Sequence, residues 1–230
     1  MMLTLKQARR ALVALHFGNE ALASLPSTDQ VVTHVRARGS IQFDPLNVVG
    51  RNPDLVLQSR IPDYRPEYLS RALYDEWRLV DGFDKNLSIY PVEDYPCFAR
   101  MRAGVSAGFR DNPAITGRFD WALNEIDRRG ALCSDDLQLN EKVRWPWGFT
   151  TLSRAALETL WLTGRLTLHH KKGARRYFDL IERHLPAELL AAPDPHPADE
   201  DYRAWRVLRR VRGVGCCGTG AATPIWAWPA

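Results

Sequence analysis

The chain has little cysteine, and what it has is spaced in a way that gives it no obvious chemistry. Of 230 residues four are Cys. Cys97 and Cys133 stand alone and Cys216 and Cys217 are adjacent, which excludes both a CxxC metal or redox motif and the framework of a disulfide-stapled domain. An unbroken apolar run of about 18 residues, long enough to cross a bilayer, is also missing. The opening Met-Met-Leu-Thr-Leu-Lys-Gln lacks the pattern of a secretory signal, so a cytoplasmic protein without membrane contact is expected. No strong excess of one charge exists either: 31 Lys and Arg stand against 27 Asp and Glu, for a net charge of +4. That balance favours a polyanionic partner only weakly. A hydrophobic content of 45% and a charged content of 25% are those of an ordinary globular protein with room for one large or two small domains.

Helix signals dominate what is present. Thr4 with Gln7 forms a capping box before a stripe of Leu5, Ala8, Leu12 and Leu15. Ser27 with Gln30 offers a second box, and Val31, Val32 and Val35 carry a helix to Gly39, a suitable residue just past a helix end. That helix also bears His34, Arg36 and Arg38, expected on a solvated face. Asn52 and Pro53 read as cap and first residue of another helix, and Tyr68, Leu69, Ala72 and Leu73 mark one starting near Pro66. Short strands follow at residues 77–80 and 86–90 around Asp81-Gly82, and Pro91 opens a helix through Phe98 and Met101.

The same order then returns. Leu69-Ser70-Arg71-Ala72 resembles Leu152-Ser153-Arg154-Ala155, and each opens a helix leading into a hairpin-like segment. In the second copy, helices at residues 115–129, 134–139 and 152–162 precede a hairpin of residues 165–170 and 175–180. Three helices followed by a β-hairpin make a winged-helix unit. The expected class is therefore α+β, mainly α with small β-hairpins, as tandem winged-helix domains over residues 1–108 and 109–192. Residues 193–230 hold a proline-spaced linker and the start of an incomplete third domain, with a helix using Tyr202, Trp205, Leu208 and Val211.

Basic residues cluster where a wing would end: Lys171, Lys172, Arg175 and Arg176 lie within six positions. With Arg36, Arg38 and Arg51 they are the candidate phosphate contacts, which raise affinity for any duplex without reading its sequence. His169 and His170 are neighbours in a strand and should point to opposite faces, so no metal site is expected. Trp145, Pro146 and Trp147, with Tyr95, Phe98 and Phe109, read as packing residues.

The stretch with the clearest chemical potential is Ser40-Ile41-Gln42-Phe43-Asp44. As a strand of period two it sends Ile41 and Phe43 to the core and Gln42 and Asp44 to the open face, Cβ atoms about 7 Å apart. Spacing alone describes a common sheet edge.

The surroundings add more. Gln42-Phe43-Asp44, then Pro45, Leu46, Asn47, Val48, Val49 and Arg51, with Leu55-Val56-Leu57 and Ser59-Arg60 after it, resembles the crosslink-repair DNA glycosylases of the AlkZ/YcaQ type, bacterial proteins of tandem winged helices. The likeness covers roughly residues 1–212. It implies a catalytic Gln-x-Asp motif at Gln42 and Asp44, hydrolysis of the N-glycosidic bond of alkylated or crosslinked purines, double-stranded DNA as partner, and no metal or cofactor. Many relatives carry Trp-Ala-His-Glu-Ala in the first strand pair where this chain has Gly82-Phe83-Asp84-Lys85-Asn86, so no histidine role carries over. The resemblance also implies a third winged-helix domain, which this chain barely begins. Residues 215–230 have no helical or strand period and read as a frameshifted tail, which would leave the helix around Trp205 short of packing partners. Two other readings stay open: a winged-helix regulator without catalysis, and a truncated, inactive remnant of the family.

Overall fold

The computed structural model describes residues 4–18, 27–44, 46–109, 112–146 and 148–215. It resolves into two units, one of Met1–Leu79, Asp84–Pro91 and His196–Ala230, the other of Val80–Phe83 and Val92–Pro195. Helices with small antiparallel sheets make the chain α+β, as expected.

In the first unit α1 (Leu5–Phe17) begins with the expected box: the Gln7 N–H donates to Thr4 Oγ1 at 3.3 Å and the Thr4 N–H to Gln7 Oε1 at 2.9 Å. None of its residues is buried, so its apolar stripe lies outside the core. α2 (Ser27–Arg38) supplies that core. Val31, Val32 and Val35 are fully buried, together with Ile41, Leu57, Ile61, Leu69, Ala72, Leu73, Leu79 and Ile89. The expectation that His34 and Arg38 face solvent is overturned: they are 2% and 8% exposed. The reason is helical spacing, because residues 31, 34, 35 and 38 share one face and Val31 and Val35 pull that face inward. Arg36, off this face, is exposed. Gly39 ends the helix with φ +81°, a conformation that a side chain would strain.

Beyond β1 (Ile41–Gln42), α3 (Asn52–Gln58) takes Arg51 as its N-cap and has proline in its first turn. Asn52, read as the cap, turns its side chain elsewhere. α4 (Pro66–Tyr74) buries Leu69, Ala72 and Leu73, as its pattern indicated. The strands that follow are β2 (Leu79–Phe83), whose residues Val80–Phe83 belong to the second unit, and β3 (Leu87–Pro91). Their turn is at residues 84–86, where the Asp84 N–H donates to the Asn86 carbonyl at 3.0 Å. Asp81-Gly82 is therefore strand rather than turn, and both residues are buried.

In the second unit a 3-10 turn at Val92–Phe98 leads into α5 (Ala99–Phe109). The single helix expected over 115–129 is two, α6 (Pro113–Thr116) and α7 (Phe119–Arg129), interrupted at Gly117 and Arg118. α8 (Ser134–Leu137) is fixed by Asp136, whose Oδ2 accepts the Cys133 N–H at 2.8 Å. Next comes a hairpin that the sequence reading lacked, β4 (Lys142–Trp145) with β5 (Gly148–Thr151), Trp145 opposite Gly148. Trp145 is buried and stacks on Phe109 at 5.3 Å between ring centroids, which bears out its reading as a packing residue; Trp147 lies outside the described residues. α9 (Leu152–Leu162) has the expected bounds and is buried over most of its circumference. β6 (Leu166–Lys172) and β7 (Arg175–Leu180) form the expected hairpin, with Gly173 at φ +61° in its tip. A 3-10 turn, Ile181–Arg183, and α10 (Ala187–Leu190) close the unit.

The final helix, α11 (Asp199–Val214), packs against α2 within the first unit. Its buried residue is Arg209, whose Nη2 donates to the Gly39 carbonyl at 2.6 Å. The helix therefore has partners, although Leu208 and Val214 stay exposed. The tail beyond it lies outside the described residues.

Candidate active site

β1 is held by β3 in antiparallel register, Ile41 opposite Ile89 and Gln42 opposite Ser88. Ile41 and Ile89 are buried, and the Phe43 N–H extends the ladder by donating to the Leu87 carbonyl at 2.8 Å. The strand itself is only Ile41–Gln42, with Ile41 buried and Gln42 turned to solvent, while Phe43 and Asp44 just beyond it are both half-buried, so the alternation expected over residues 40–44 stops at Gln42.

Where the strand ends, Asp44 organises the turn. Its Oδ1 accepts the Leu46 N–H at 2.9 Å, a local side-chain bond of the kind that aspartate uses to reverse a chain. Oδ2 makes no hydrogen bond among the described residues, and neither does the Gln42 amide. Asn52 Nδ2 donates to the Gln42 carbonyl at 2.8 Å, tying the start of α3 to the strand. A bridge between Asn47 and Arg51 pinches the intervening loop. The result is a braced strand end with an amide and a carboxylate oxygen available to a ligand. The Asn52 contact had no separate sequence signal, because the Asn-Pro pair also suits a helix cap.

The basic candidates are dispersed. In the first unit Arg36 is exposed on α2, Arg51 caps α3 half-buried, and Arg38 is buried with its Nη2 donating to the Leu15 carbonyl. In the second unit the four hairpin residues divide by role. Lys171 forms an ion pair with buried Asp81, and Arg176 one with buried Glu158. Lys172 and Arg175 are exposed beside the tip: Lys172 Nζ lies 5.3 Å from the Tyr177 ring centroid, and Arg175 pairs with Asp135 at 3.1 Å. An exposed pair of this kind contributes little to stability and is open to exchange for another anion.

The expectation that His169 and His170 face apart is overturned. A β-bulge between Leu168 and His170 breaks the alternation, and the two Nδ1 atoms lie 2.7 Å apart. Burial, together with the neighbouring His184, lowers the pKa of His169 against the opposing pull of Asp179. Burial, His169 and Lys172 lower that of His170.

No solved structure matches the chain. The sequence profile of the AlkZ-like DNA glycosylases matches residues 35–228, and the chain belongs to that family. Membership implies DNA as substrate and glycosidic cleavage as the chemistry. The matched span opens within α2, contains Gln42 and Asp44, and continues past Gly215, so the match does not end where the frameshifted tail was expected to begin. No described helix is long and apolar enough to cross a membrane.

Proposed function

We propose that this chain is a DNA glycosylase acting on N7-alkylated purines, including bases tied into interstrand crosslinks, and that it is built from tandem winged helices. The observation that supports this reading most directly is the end of β1. In a chain of the AlkZ-like family, an exposed amide at the end of the strand is followed two residues later by a half-buried carboxylate, which is oriented by the Leu46 N–H.

The chemistry suits these groups. An N7-alkylated purine is cationic and already a good leaving group, so its departure needs no strong acid. What helps is a carboxylate that stabilises oxocarbenium character and orients or deprotonates water. Asp44 takes that role, while Gln42, with a donor and an acceptor, positions the water or the sugar. The adjoining loop presents Leu46, Val48 and Val49 to solvent, with Val48 and Val49 exposed by 87% and 85%. Apolar side chains in such a position suit insertion between base steps when a nucleotide leaves the stack. The hairpins at residues 79–91 and 166–180 act as the two wings.

The test is release of 7-methylguanine from methylated duplex DNA by purified protein, with Asp44→Asn and Gln42→Ala alongside. Release by the wild type should fall at least about tenfold in each variant, about 1.4 kcal/mol of barrier. No release by wild-type protein that still binds the duplex would overturn the catalytic reading and leave a winged-helix binding protein.

The wing makes a separate prediction. Replacing Lys172 and Arg175 with alanine should weaken duplex binding for all sequences alike. The slope of log affinity against log salt should become shallower by about 0.9 per residue lost. An unchanged slope would place the DNA elsewhere. Lys171→Ala should instead act on stability, because it leaves Asp81 buried without its cation.

A further inference from the structure

His169, Asp179 and His184 converge on the hairpin of the second unit. Thr167 on β6 lies opposite Asp179 on β7. His169, two residues beyond Thr167, is the unpaired residue of the bulge between Leu168 and His170, which re-aims its ring out of the regular alternation. His184 comes from the segment after the 3-10 turn at Ile181–Arg183, with its Nε2 2.9 Å from Asp179 Oδ2 and its ring centroid 5.2 Å from that of His169. One donor atom from each of the three residues lies within 4.8 Å of the other two.

Those dimensions can be compared with a coordination shell. Tetrahedral zinc with bonds of about 2.0–2.1 Å holds its ligand atoms about 3.3 Å apart. The edge between His184 and Asp179 is already that short, and the ligand atom of His169, half-buried on a bulge, lies within 4.8 Å of both. The carboxylate is oriented for the purpose. Asp179 Oδ1 accepts the Leu180 N–H at 2.8 Å and Arg183 Nη1 at 3.1 Å, while Oδ2 faces His184. The contact of His169 Nδ1 with His170 Nδ1 at 2.7 Å, with either ring as donor, is the kind of outer contact that ligating histidines make. A hydrogen-bonded pair of His184 and Asp179 would explain one edge of the triangle. It does not by itself bring the His169 ring against that of His184, 5.2 Å between centroids.

We propose that His169, Asp179 and His184 bind one divalent transition-metal ion, with zinc the best fit to two imidazoles and a carboxylate. The ion joins β6, β7 and the segment after the 3-10 turn, so it acts as a staple at the base of the basic hairpin. The site lies wholly in the second unit and is independent of Gln42 and Asp44.

The experiment uses the full-length chain without a tag, stripped with a chelator and titrated with Co²⁺ followed by Zn²⁺. The expected result is one Co²⁺ per chain with the intense visible bands of tetrahedral geometry, displaced by Zn²⁺. His169→Ala and His184→Ala should each weaken binding at least about tenfold, while His196→Ala should leave it unchanged. Zn²⁺ at about 100 times its dissociation constant should raise the unfolding midpoint by about 5–10 °C. Absence of a tetrahedral spectrum in the wild type would overturn the site, as would thiolate charge-transfer bands pointing to the cysteines. Undiminished binding by a folded double variant, His169→Ala with His184→Ala, would do the same.

Discussion

Asp84→Ala should destabilise the first unit by about 3–5 kcal/mol, the range for removing one partner of a buried ion pair. The Asp84 side chain is fully buried at 0% exposure. Its Oδ2 accepts Ser40 Oγ at 3.0 Å and Arg209 Nε at 3.2 Å, and its Oδ1 pairs with Arg210 and lies 3.9 Å from Arg206 Nη2. Three arginines of α11 thus converge on one carboxylate in the turn between β2 and β3. Without it, buried Arg209 loses the carboxylate that its Nε contacts, and the loss far exceeds that of an exposed pair. Urea unfolding followed by hydrogen exchange in α2 and α11 would measure it. A loss below about 1 kcal/mol would mean that water or a rearranged side chain replaces Asp84.

The same substitution carries a functional consequence. Ser40 and Gly39, the groups held by Asp84 and Arg209, immediately precede β1. Loosening them frees the strand that presents Gln42, so glycosylase activity should fall along with stability. Asp84→Leu combined with Arg209→Met and Arg210→Met separates the two effects, because apolar side chains then replace both the carboxylate and the two arginines that contact it. Recovered stability with lost activity would assign the ion cluster a part in aiming the strand.

What was legible in the sequence follows from what each signal reports. Period-two alternation placed Ile41 in the core and Gln42 on the open face, because a strand depends on local spacing, but it did not foresee that the strand ends there and leaves Phe43 and Asp44 equally half-buried. The bounds of α9 were legible for a similar reason, with Thr151 as a side-chain cap and a strong apolar run behind it. Asp84 was not legible. Its environment is assembled from residues 125 and 126 positions away, and no period in either segment records that meeting. Long-range pairing also hid the split among the basic wing residues, since Lys171 and Arg176 differ from Lys172 and Arg175 only in having buried carboxylates within reach. The bulge at residues 168–170 defeated the alternation rule at the one place where two histidines made alternation matter.

His34 should make the first unit acid-sensitive between pH 6.5 and about 4. Burial, reinforced by the positive charges of Arg38 and Arg60 and by His16, lowers its pKa from 6.5 to about 4, and its Nδ1 is a buried atom without a hydrogen-bond partner. Above pH 6.5 the imidazole is neutral in both folded and unfolded chains and contributes no pH dependence. As the pH falls, the unfolded chain takes up the proton first, so stability drops until the folded imidazole protonates near pH 4. Below that pH the contribution levels off. At 1.36 kcal/mol per pH unit the window amounts to about 3 kcal/mol. His34→Leu removes the titrating group from a site that already excludes water and should flatten this part of the profile. The readout is hydrogen exchange of α2 amides across the pH range, because it reports on the first unit while His169 and His170 titrate in the second. An α2 profile just as steep in His34→Leu would transfer the acid sensitivity to other groups of that unit, and His34 would then be a buried polar residue without a role in its pH response.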